Sequence, residues 1–259
     1  MDYPKSKMIE KLKNDELVLC TKLNITDNIG VEIAAMCGFD CIWIDMEHVA
    51  NDYGQIGKCI LAAKAYGAEI IVRTTRGAYS NLTRPLELDA NGIMVPHVMN
   101  YEDAAQVGYY TKFHPRGRRP IDGGNADGRY CLLDVADYIQ YSNEEKLTII
   151  QIEDVEALED IERIAQVPGI DMLFFGPADF SHSIGQPENT ANARTLEARR
   201  KVAEVARKYG KLAGTVGGLG NLKELYDMGY RFINLGADVI GLSTYFGGIV
   251  KEARAMGLK

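Results

Sequence analysis

The sequence lacks several features that would link it to a membrane or to nucleic acid. No uninterrupted apolar stretch is long enough to span a bilayer, and residues 1–5 lead into a polar amphipathic segment without the apolar core of a signal peptide. There is no run of basic residues, and the formal net charge of -7 disfavours nucleic acid and membrane surfaces as partners. We therefore expect a cytoplasmic protein.

The five cysteines include no C-x-x-C pair, and their number is odd. Cys37 and Cys41 are close in sequence but have no matching histidine or cysteine ligands nearby. In a cytosolic chain, most such residues are small buried apolar side chains, so we expect no disulfide framework and no zinc site.

The composition is that of an ordinary soluble globular protein, with 46% hydrophobic and 25% charged residues. A chain of 259 residues can form two small domains or one large α/β domain, and α/β barrels of this length are commonly single domains.

One sequence unit recurs along the chain: the end of an amphipathic helix, a glycine, and a short apolar run. The glycines of its six copies are Gly38, Gly67, Gly92, Gly169, Gly210 and Gly229. The expected strands that follow them are residues 41–44, 70–72, 93–95, 172–175, 212–215 and 231–233. Glycine beyond a helix adopts the left-handed conformation without steric cost, and continuous apolar runs are typical of strands covered on both faces.

Two further apolar runs, residues 17–23 and 147–152, lack the glycine but bring the expected strands to eight. The segments between strands have helical spacing of apolar residues. Eight alternations predict an α/β protein with a (β/α)8 TIM barrel over residues 1–259, and a doubly wound sheet is the alternative.

Two long polar connections are expected at the carboxyl ends of the strands. Residues 113–125 form the first, before a short helix around 135–141, and residues 181–192 form the second. Connections at this end of a barrel are candidate lids or subunit contacts.

The first candidate site lies where the expected strand 41–44 ends in Asp45, Glu47 and His48. The two acids share a face of an extended strand, and a carboxylate beside an imidazole fixes its tautomer and raises its basicity. A solvated surface turn is equally consistent with these residues alone.

Other expected strands also end in polar side chains: Arg73 follows the third, His97 the fourth, Gln151 and Glu153 the fifth, and Asp179 the sixth. In a barrel these ends form one ring, where charged groups are costly unless they are paired or bind a metal. The sequence therefore predicts a functional site at this ring.

Glu153 and Asp179 belong to neighbouring strands, about 4.8 Å apart, so their carboxylates could reach one ion such as Mg²⁺ or Mn²⁺. They could instead be surface acids that begin the following helices. Arg73 suits a carboxylate or an enolate oxygen, with an ion pair to Glu47 as the alternative. His97 is interpreted as a histidine at the rim of the core whose hydrogen bonds are satisfied within the protein, with a substrate contact as the alternative.

The order of these motifs resembles the HpcH/HpaI aldolase family of metal-dependent class II pyruvate aldolases. The resemblance extends from about Leu12 to Met256. Its motifs are Gly38-Phe39-Asp40, Ile44-Asp45-Met46-Glu47-His48, Val72-Arg73, Met94-Val95-Pro96, Gln151-Ile152-Glu153 and Gly176-Pro177-Ala178-Asp179-Phe180-Ser181. The sequence departs from the pattern at Leu86-Glu87-Leu88-Asp89-Ala90, where many members read Leu-Asp-x-Gly-Ala.

The resemblance implies a barrel of the phosphoenolpyruvate/pyruvate type. It also implies a homo-oligomer, commonly a hexamer built as a trimer of dimers, in which the last helix, here about residues 242–255, packs on a neighbouring subunit.

The roles that the resemblance implies fall into three groups. Glu153 and Asp179 match the ligands of a divalent metal, Mg²⁺, Mn²⁺ or Co²⁺. Arg73 matches the enolate-stabilising arginine, and Asp45 with His48 the acid-base dyad. Substrate contacts are implied for Gln151, near the metal and the keto oxygen, and for the backbone of Gly176, Pro177 and Ala178, which binds the carboxylate.

The activity implied is the reversible aldol cleavage of a 4-hydroxy-2-oxo acid to an aldehyde and pyruvate, or a close 2-oxo acid. Two alternatives remain. One is a lyase or decarboxylase that uses the same metal-enolate chemistry on oxaloacetate or an acyl-CoA ester. The other is a barrel that binds a 2-oxo acid without turnover.

Overall fold

The computed structural model describes residues 5–25 and 27–258. Eight parallel strands close into a barrel in chain order, so that the last strand pairs with the first. The strands are β1 Val18–Leu23, β2 Cys41–Asp45, β3 Glu69–Arg73, β4 Gly92–Val95, β5 Leu147–Ile152, β6 Met172–Phe175, β7 Leu212–Gly217 and β8 Phe232–Ala237. The (β/α)8 barrel is confirmed, and the doubly wound alternative is wrong.

Helices connect the strands and cover the barrel. They are α1 Lys7–Lys13, α2 Asn28–Met36, α3 Tyr53–Tyr66, α4 Ser80–Glu87, α5 Tyr101–Thr111, α6 Val135–Glu145, α7 Val155–Glu159, α8 Ile161–Ile164, α9 Pro177–Ser183, α10 Ala193–Lys208, α11 Leu222–Met228 and α12 Asp238–Ala255. Several begin at an Asp or Asn whose side chain accepts a backbone N–H bond, as Asp27 does for α2 and Asn192 for α10. None of the described helices is long and apolar enough to cross a membrane.

The inside of the barrel is filled by large apolar side chains, so it is a packed core below the carboxyl ends of the strands. Trp43 meets Phe174 edge to face at 5.7 Å between ring centroids, and Phe174 meets Phe232 in the same way at 6.2 Å. Trp43 also lines the cavity above this core. The packed rings therefore form a rigid floor for the cavity.

Five of the six predicted glycine caps adopt the left-handed conformation, at Gly38, Gly67, Gly169, Gly210 and Gly229. The prediction for Gly92 is wrong, because this residue begins β4. A Cβ there would lie 2.5 Å from the carbonyl oxygen of Leu147, so glycine is required by the close approach of β4 and β5. The left-handed turn before β4 is made by Asp89, with a φ of 71°.

Asp89 belongs to the segment Leu86-Glu87-Leu88-Asp89-Ala90, at which the sequence departs from the pattern of the resemblance. Its buried carboxylate accepts a 2.6 Å hydrogen bond from Lys146 Nζ and also pairs with Lys64 and Arg129. Burial alone would raise the pKa of Asp89, but the two lysines outweigh burial and lower it. These contacts stabilise a backbone conformation that is uncommon for a residue with a side chain.

The first predicted connection is followed by α6, as expected, with a 3-10 turn at Arg129–Cys131 before it. Its predicted position at the carboxyl ends of the strands is wrong, because it follows α5 and its Arg116 pairs at 2.7 Å with Asp171, which directly precedes β6. The second is shorter than predicted, because α9 continues to Ser183. Cys20, Cys41 and Cys59 are buried, whereas Cys37 and Cys131 are exposed, and all five are free thiols.

The last helix, α12, has no buried residue among those described, although it carries Ile240, Tyr245, Phe246 and Ile249, each at least half exposed. Beside its first turn lies an apolar groove of about 600 Å³ between α2, β1 and β8. Within the described part of the chain, both apolar surfaces therefore lack a covering element.

Candidate active site at the carboxyl ends of the strands

The carboxyl ends of the strands surround a cavity of about 370 Å³. Seven of the nine predicted site residues line it: His48, Arg73, Gln151, Gly176, Pro177, Ala178 and Asp179. The other two, Asp45 and Glu153, are buried in its walls, with 0% and 1% of their surface exposed. The structure therefore brings the predicted residues of four different segments to one place.

Asp45 is bound by two cations. Arg73 donates from Nε to Asp45 Oδ1 at 2.9 Å and from Nη2 to Oδ2 at 2.6 Å, and Lys22 Nζ lies 2.8 Å from Oδ2. The strand register explains the contact, since Asp45 of β2 pairs with Arg73 of β3. The expected pairing of Asp45 with His48 is wrong, because both oxygens of Asp45 face these cations.

The contacts of Asp45 determine its charge. Burial would raise the pKa of its carboxyl group, but the hydrogen bonds and charges of Arg73 and Lys22 outweigh burial and hold that pKa well below its ordinary value. Burial would likewise lower the pKa of Arg73, which Asp45 and Glu47 instead raise. Both groups are therefore charged, and the guanidinium is fixed in one orientation.

Glu47 links Arg73 to the two histidines at the cavity. Its Oε2 lies 2.9 Å from Arg73 Nη1 and 3.6 Å from His48 Nε2, and its Oε1 lies 3.7 Å from His97 Nε2. The predicted ion pair between Glu47 and Arg73 is therefore present. Glu47, and not Asp45, is the carboxylate beside His48, whose side chain is 60% exposed.

His97 follows β4 with a φ of 48°, in the left-handed region that non-glycine residues seldom adopt. Its Nδ1 lies 2.9 Å from Asp154 Oδ2, which agrees with its interpretation as a satisfied histidine. Its backbone N–H donates to Glu153 Oε1 at 2.8 Å. The backbone of His97, in this unusual conformation, thus makes a hydrogen bond that positions Glu153.

Glu153 is a buried carboxylate close to other negative groups. Burial raises its pKa to about 7; the hydrogen bond and charge of His97 act against this, and the charges of Asp179 and Glu47 add to it. Gln151 Nε2 donates to Glu153 Oε2 at 2.7 Å. A carboxylate in such surroundings is stabilised by a bound cation.

The residues around Glu153 fit a hard divalent cation. Asp179 lies in the first turn of α9 and also lines the cavity, so its position is consistent both with an acid at a helix start and with a metal ligand. Gln151 Oε1 is buried and, within the described chain, without a hydrogen-bond partner. Two carboxylates and an amide are oxygen donors of the kind that Mg²⁺ and Mn²⁺ prefer. Residues 5–25 and 27–258 contain no cluster of three or more His, Cys, Asp or Glu side chains that could hold a metal.

Gly176 allows the carboxylate of Glu153 to approach the turn before α9. A Cβ at this position would lie 2.5 Å from Glu153 Oε2 and 2.9 Å from Glu153 Cβ. The Gly176-Pro177-Ala178 turn therefore needs glycine at its first position for steric reasons.

Sequence reasoning missed Lys22, Trp43 and Asn234, which also line the cavity. The signal for Lys22 was a charged residue within the apolar run 17–23. Trp43 and Asn234 gave no such signal. A tryptophan in an apolar strand is common in packed cores, and an asparagine is common in turns.

The chain matches the sequence pattern of the HpcH/HpaI aldolase/citrate lyase family over residues 23–243. It is 30% identical to the hydroxypyruvate/pyruvate aldolase of Paraburkholderia phytofirmans over 95% of this chain and 96% of that one. It is 28% identical to the 2-keto-3-deoxy-L-rhamnonate aldolase of Shigella boydii, over 89% and 86% of the two chains.

Solved structures of the same family are also similar to this chain. The HpcH/HpaI aldolase from Desulfitobacterium hafniense superimposes with a TM-score of 0.89 at 28% identity, over 95% of this chain and 96% of that one. The citrate synthase SbnG superimposes with a TM-score of 0.88 at 28% identity, over 97% and 98% of the two chains. The chain therefore belongs to the HpcH/HpaI aldolase/citrate lyase family and is a carbon–carbon lyase.

Proposed function

We propose that this lyase catalyses the reversible aldol cleavage of a 4-hydroxy-2-oxo acid to pyruvate, or a close 2-oxo acid, and an aldehyde. One observation carries the proposal: Arg73, Gln151 and Asp179 line a single cavity, and Glu153 is hydrogen-bonded to Gln151 in its wall. The relatives named as pyruvate and 2-keto-3-deoxy-L-rhamnonate aldolases support the same reaction.

Glu153 and Asp179 would hold the divalent metal, Mg²⁺, Mn²⁺ or Co²⁺. When bound, such an ion acts as a Lewis acid toward a keto group and favours formation of the enolate. The backbone of Gly176, Pro177 and Ala178 binds the carboxylate of the 2-oxo acid, and the amide of Gln151 lies near its keto oxygen.

Arg73 stabilises the negative charge that develops on the keto oxygen during cleavage. Its guanidinium is held by Asp45 and Glu47, so it needs no reorganisation when the charge appears. This orientation makes the hydrogen bond to the oxyanion stronger than one from a mobile side chain.

His48 handles the proton of the 4-hydroxyl group. The imidazole is exposed at the cavity and adjoins Glu47, which replaces Asp45 as its orienting carboxylate. In cleavage, His48 removes the hydroxyl proton through a water molecule, and it returns that proton in synthesis.

The reaction is tested by measuring pyruvate release from a panel of 4-hydroxy-2-oxo acids. We expect turnover, with a loss of about 10²- to 10⁴-fold in His48→Asn, because that is the usual contribution of a general base. His182→Asn, on the exposed side of α9, is the matched control and should keep its rate. Turnover confined to oxaloacetate or acyl-CoA esters, or binding of pyruvate without turnover, would contradict the proposal.

We also propose that the enzyme is a homo-oligomer, a hexamer built as a trimer of dimers, and that α12 of one copy covers the groove between α2, β1 and β8 of another. The support is that the groove and the helix are both apolar and both exposed in one chain. The five free cysteines are typical of a reducing compartment, so we assign the enzyme to the cytoplasm.

Light scattering after size-exclusion chromatography tests the assembly. The wild type should have the mass of six chains, and Phe246→Glu should shift it to smaller species, because a charge replaces an apolar contact. Lys223→Glu changes charge on the exposed side of α11 and should leave the mass unchanged. A monomeric wild type would rule out the proposed assembly.

A further inference from the structure

The wall of the cavity opposite the proposed metal ligands is also polar. In the closed order of eight strands, β8, β1 and β2 lie across the barrel from β4, β5 and β6. Asn234, Lys22 and Trp43 belong to these three strands, and all three line the cavity. Substrate bound between the two walls would therefore meet polar groups at both of its ends.

Two of these groups are buried polar atoms without a partner. Trp43 Nε1 and Asn234 Oδ1 belong to side chains that are 4% and 3% exposed, and neither atom has a hydrogen bond within residues 5–25 and 27–258. Native structures seldom bury polar atoms in this way, so each one calls for an explanation. A ligand in the cavity that both residues line provides it.

The strand register places these groups at adjacent levels of one wall. Asn234 pairs with Cys20, and Lys22 lies two residues further along β1, so the two side chains share the inner face of the barrel. Lys22 Nζ is 5.4 Å from the centre of the Trp43 ring. One of its three donors is on Asp45, and the others remain for a ligand oxygen.

The charges on this side of the cavity balance, which favours a neutral ligand group over an anion. Lys22 and Arg73 carry two positive charges, and their partners Asp45 and Glu47 carry two negative ones. A carboxylate or phosphate would therefore find no net positive charge here.

Asn234 identifies the ligand group more closely. One of the two hydrogens on its Nδ2 already donates to the carbonyl oxygen of Gly236 at 3.2 Å, whereas its acceptor Oδ1 has no partner within the described residues. Trp43 Nε1 is a donor only. A hydroxyl group matches both kinds of atom, because it can donate to Asn234 Oδ1 and accept from Trp43 Nε1, whereas an ionised carboxylate could not donate to Asn234.

We infer that Lys22, Trp43 and Asn234 form a second subsite that binds a hydroxyl group on the aldehyde half of the substrate. This inference rests on the proposed function, in which the 2-oxo acid occupies the opposite wall. The enzyme therefore prefers hydroxylated aldehydes over alkyl aldehydes of the same size.

The test compares glycolaldehyde with propanal, which has the same number of heavy atoms, as acceptors for pyruvate in the synthetic direction. The measured quantity is the ratio of kcat/KM for the two aldehydes. We expect Asn234→Leu and Trp43→Phe each to lower this ratio by about 10- to 100-fold, the scale for losing a hydrogen bond that recognises a substrate hydroxyl. Comparing variants with wild type cancels the intrinsic reactivity of the aldehydes.

Lys223→Met, on the exposed side of α11, is the control and should keep the wild-type ratio. An unchanged ratio in both subsite variants, or an equal loss with both aldehydes, would overturn the subsite. Trp43→Phe keeps an aromatic side chain in the core and removes the indole N–H. If Asn234→Leu fails to fold, the ratio of kcat/KM values measured for Trp43→Phe decides the test.

Exchange of the pyruvate methyl protons in D₂O separates this inference from the proposed function. The exchange reports enolate formation by the wild-type enzyme with its metal and without any aldehyde. Exchange together with an unchanged aldehyde ratio in the variants would overturn the subsite alone. Absence of exchange would overturn the proposed function, and the subsite with it.

Discussion

Full chelation of divalent metal should abolish pyruvate release, and Mg²⁺, Mn²⁺ or Co²⁺ should restore it. A Lewis-acid metal contributes several kcal/mol to stabilisation of the transition state, so we expect a loss of at least about 10³-fold. The structural basis is Glu153, whose carboxylate is 1% exposed and lies near the negative charges of Asp179 and Glu47. Activity that survives full chelation would contradict the metal-dependent reaction.

Two variants connect this loss to the proposed ligands. Glu153→Gln removes one carboxylate, and Gly176→Ala places a Cβ at 2.5 Å from Glu153 Oε2 and so displaces it. Both should weaken Mn²⁺ binding, measured by calorimetry, by at least about 10- to 100-fold. Gly218→Ala is the matched control, because its Cβ would meet no atom within 4 Å. Undiminished Mn²⁺ binding in Glu153→Gln would place the metal elsewhere.

The barrel could be predicted from sequence because its signals are local. A helix end, a left-handed residue and a continuous apolar strand recur along the chain, and each is decided by neighbours in sequence. Gly92 is the instructive exception. Gly92, like Gly38, lies between a helix and an apolar run, but Asp89 makes the turn, because lysines distant in sequence stabilise the backbone there.

The membership of the site could also be predicted, because side chains at the carboxyl ends of barrel strands must meet. Which of these side chains contact one another could not be predicted. Asp45 and His48 are close in sequence, but the register between strands sets Asp45 beside Arg73 and leaves His48 to Glu47. Strand register depends on tertiary packing and not on sequence spacing.

The exposed face of α12 shows a different limit of sequence reasoning. The family resemblance implies that this helix packs on a neighbouring subunit, and within one described chain no residue of the helix is buried. An exposed apolar face of this kind marks an interaction surface, and a single sequence does not locate what contacts it.

Arg73→Ala should lower kcat for pyruvate release by about 10²-fold, the scale for losing one donor to a developing oxyanion. Arg73→Lys should remain impaired, because a lysine keeps the charge but cannot bond both oxygens of Asp45 as the guanidinium does. Arg163→Ala, an exposed residue of α8, is the control. A near-wild-type rate in Arg73→Ala would remove this residue from the mechanism.

The same substitution should also destabilise the fold, since it leaves Asp45 buried with Lys22 as its remaining cation. Losing one partner of a buried ion pair costs about 3–5 kcal/mol, which denaturant unfolding can measure, whereas Arg163→Ala, which breaks only exposed ion pairs, should leave the stability nearly unchanged. The pKa of Asp45 is depressed in the folded protein, so its contribution to stability is present above its unfolded pKa of about 3.9 and is lost as the pH falls. Arg73→Ala should therefore lose less stability than the wild type when the pH is lowered below about 4. Equal acid sensitivity of the two proteins would show that Arg73 does not set the charge of Asp45.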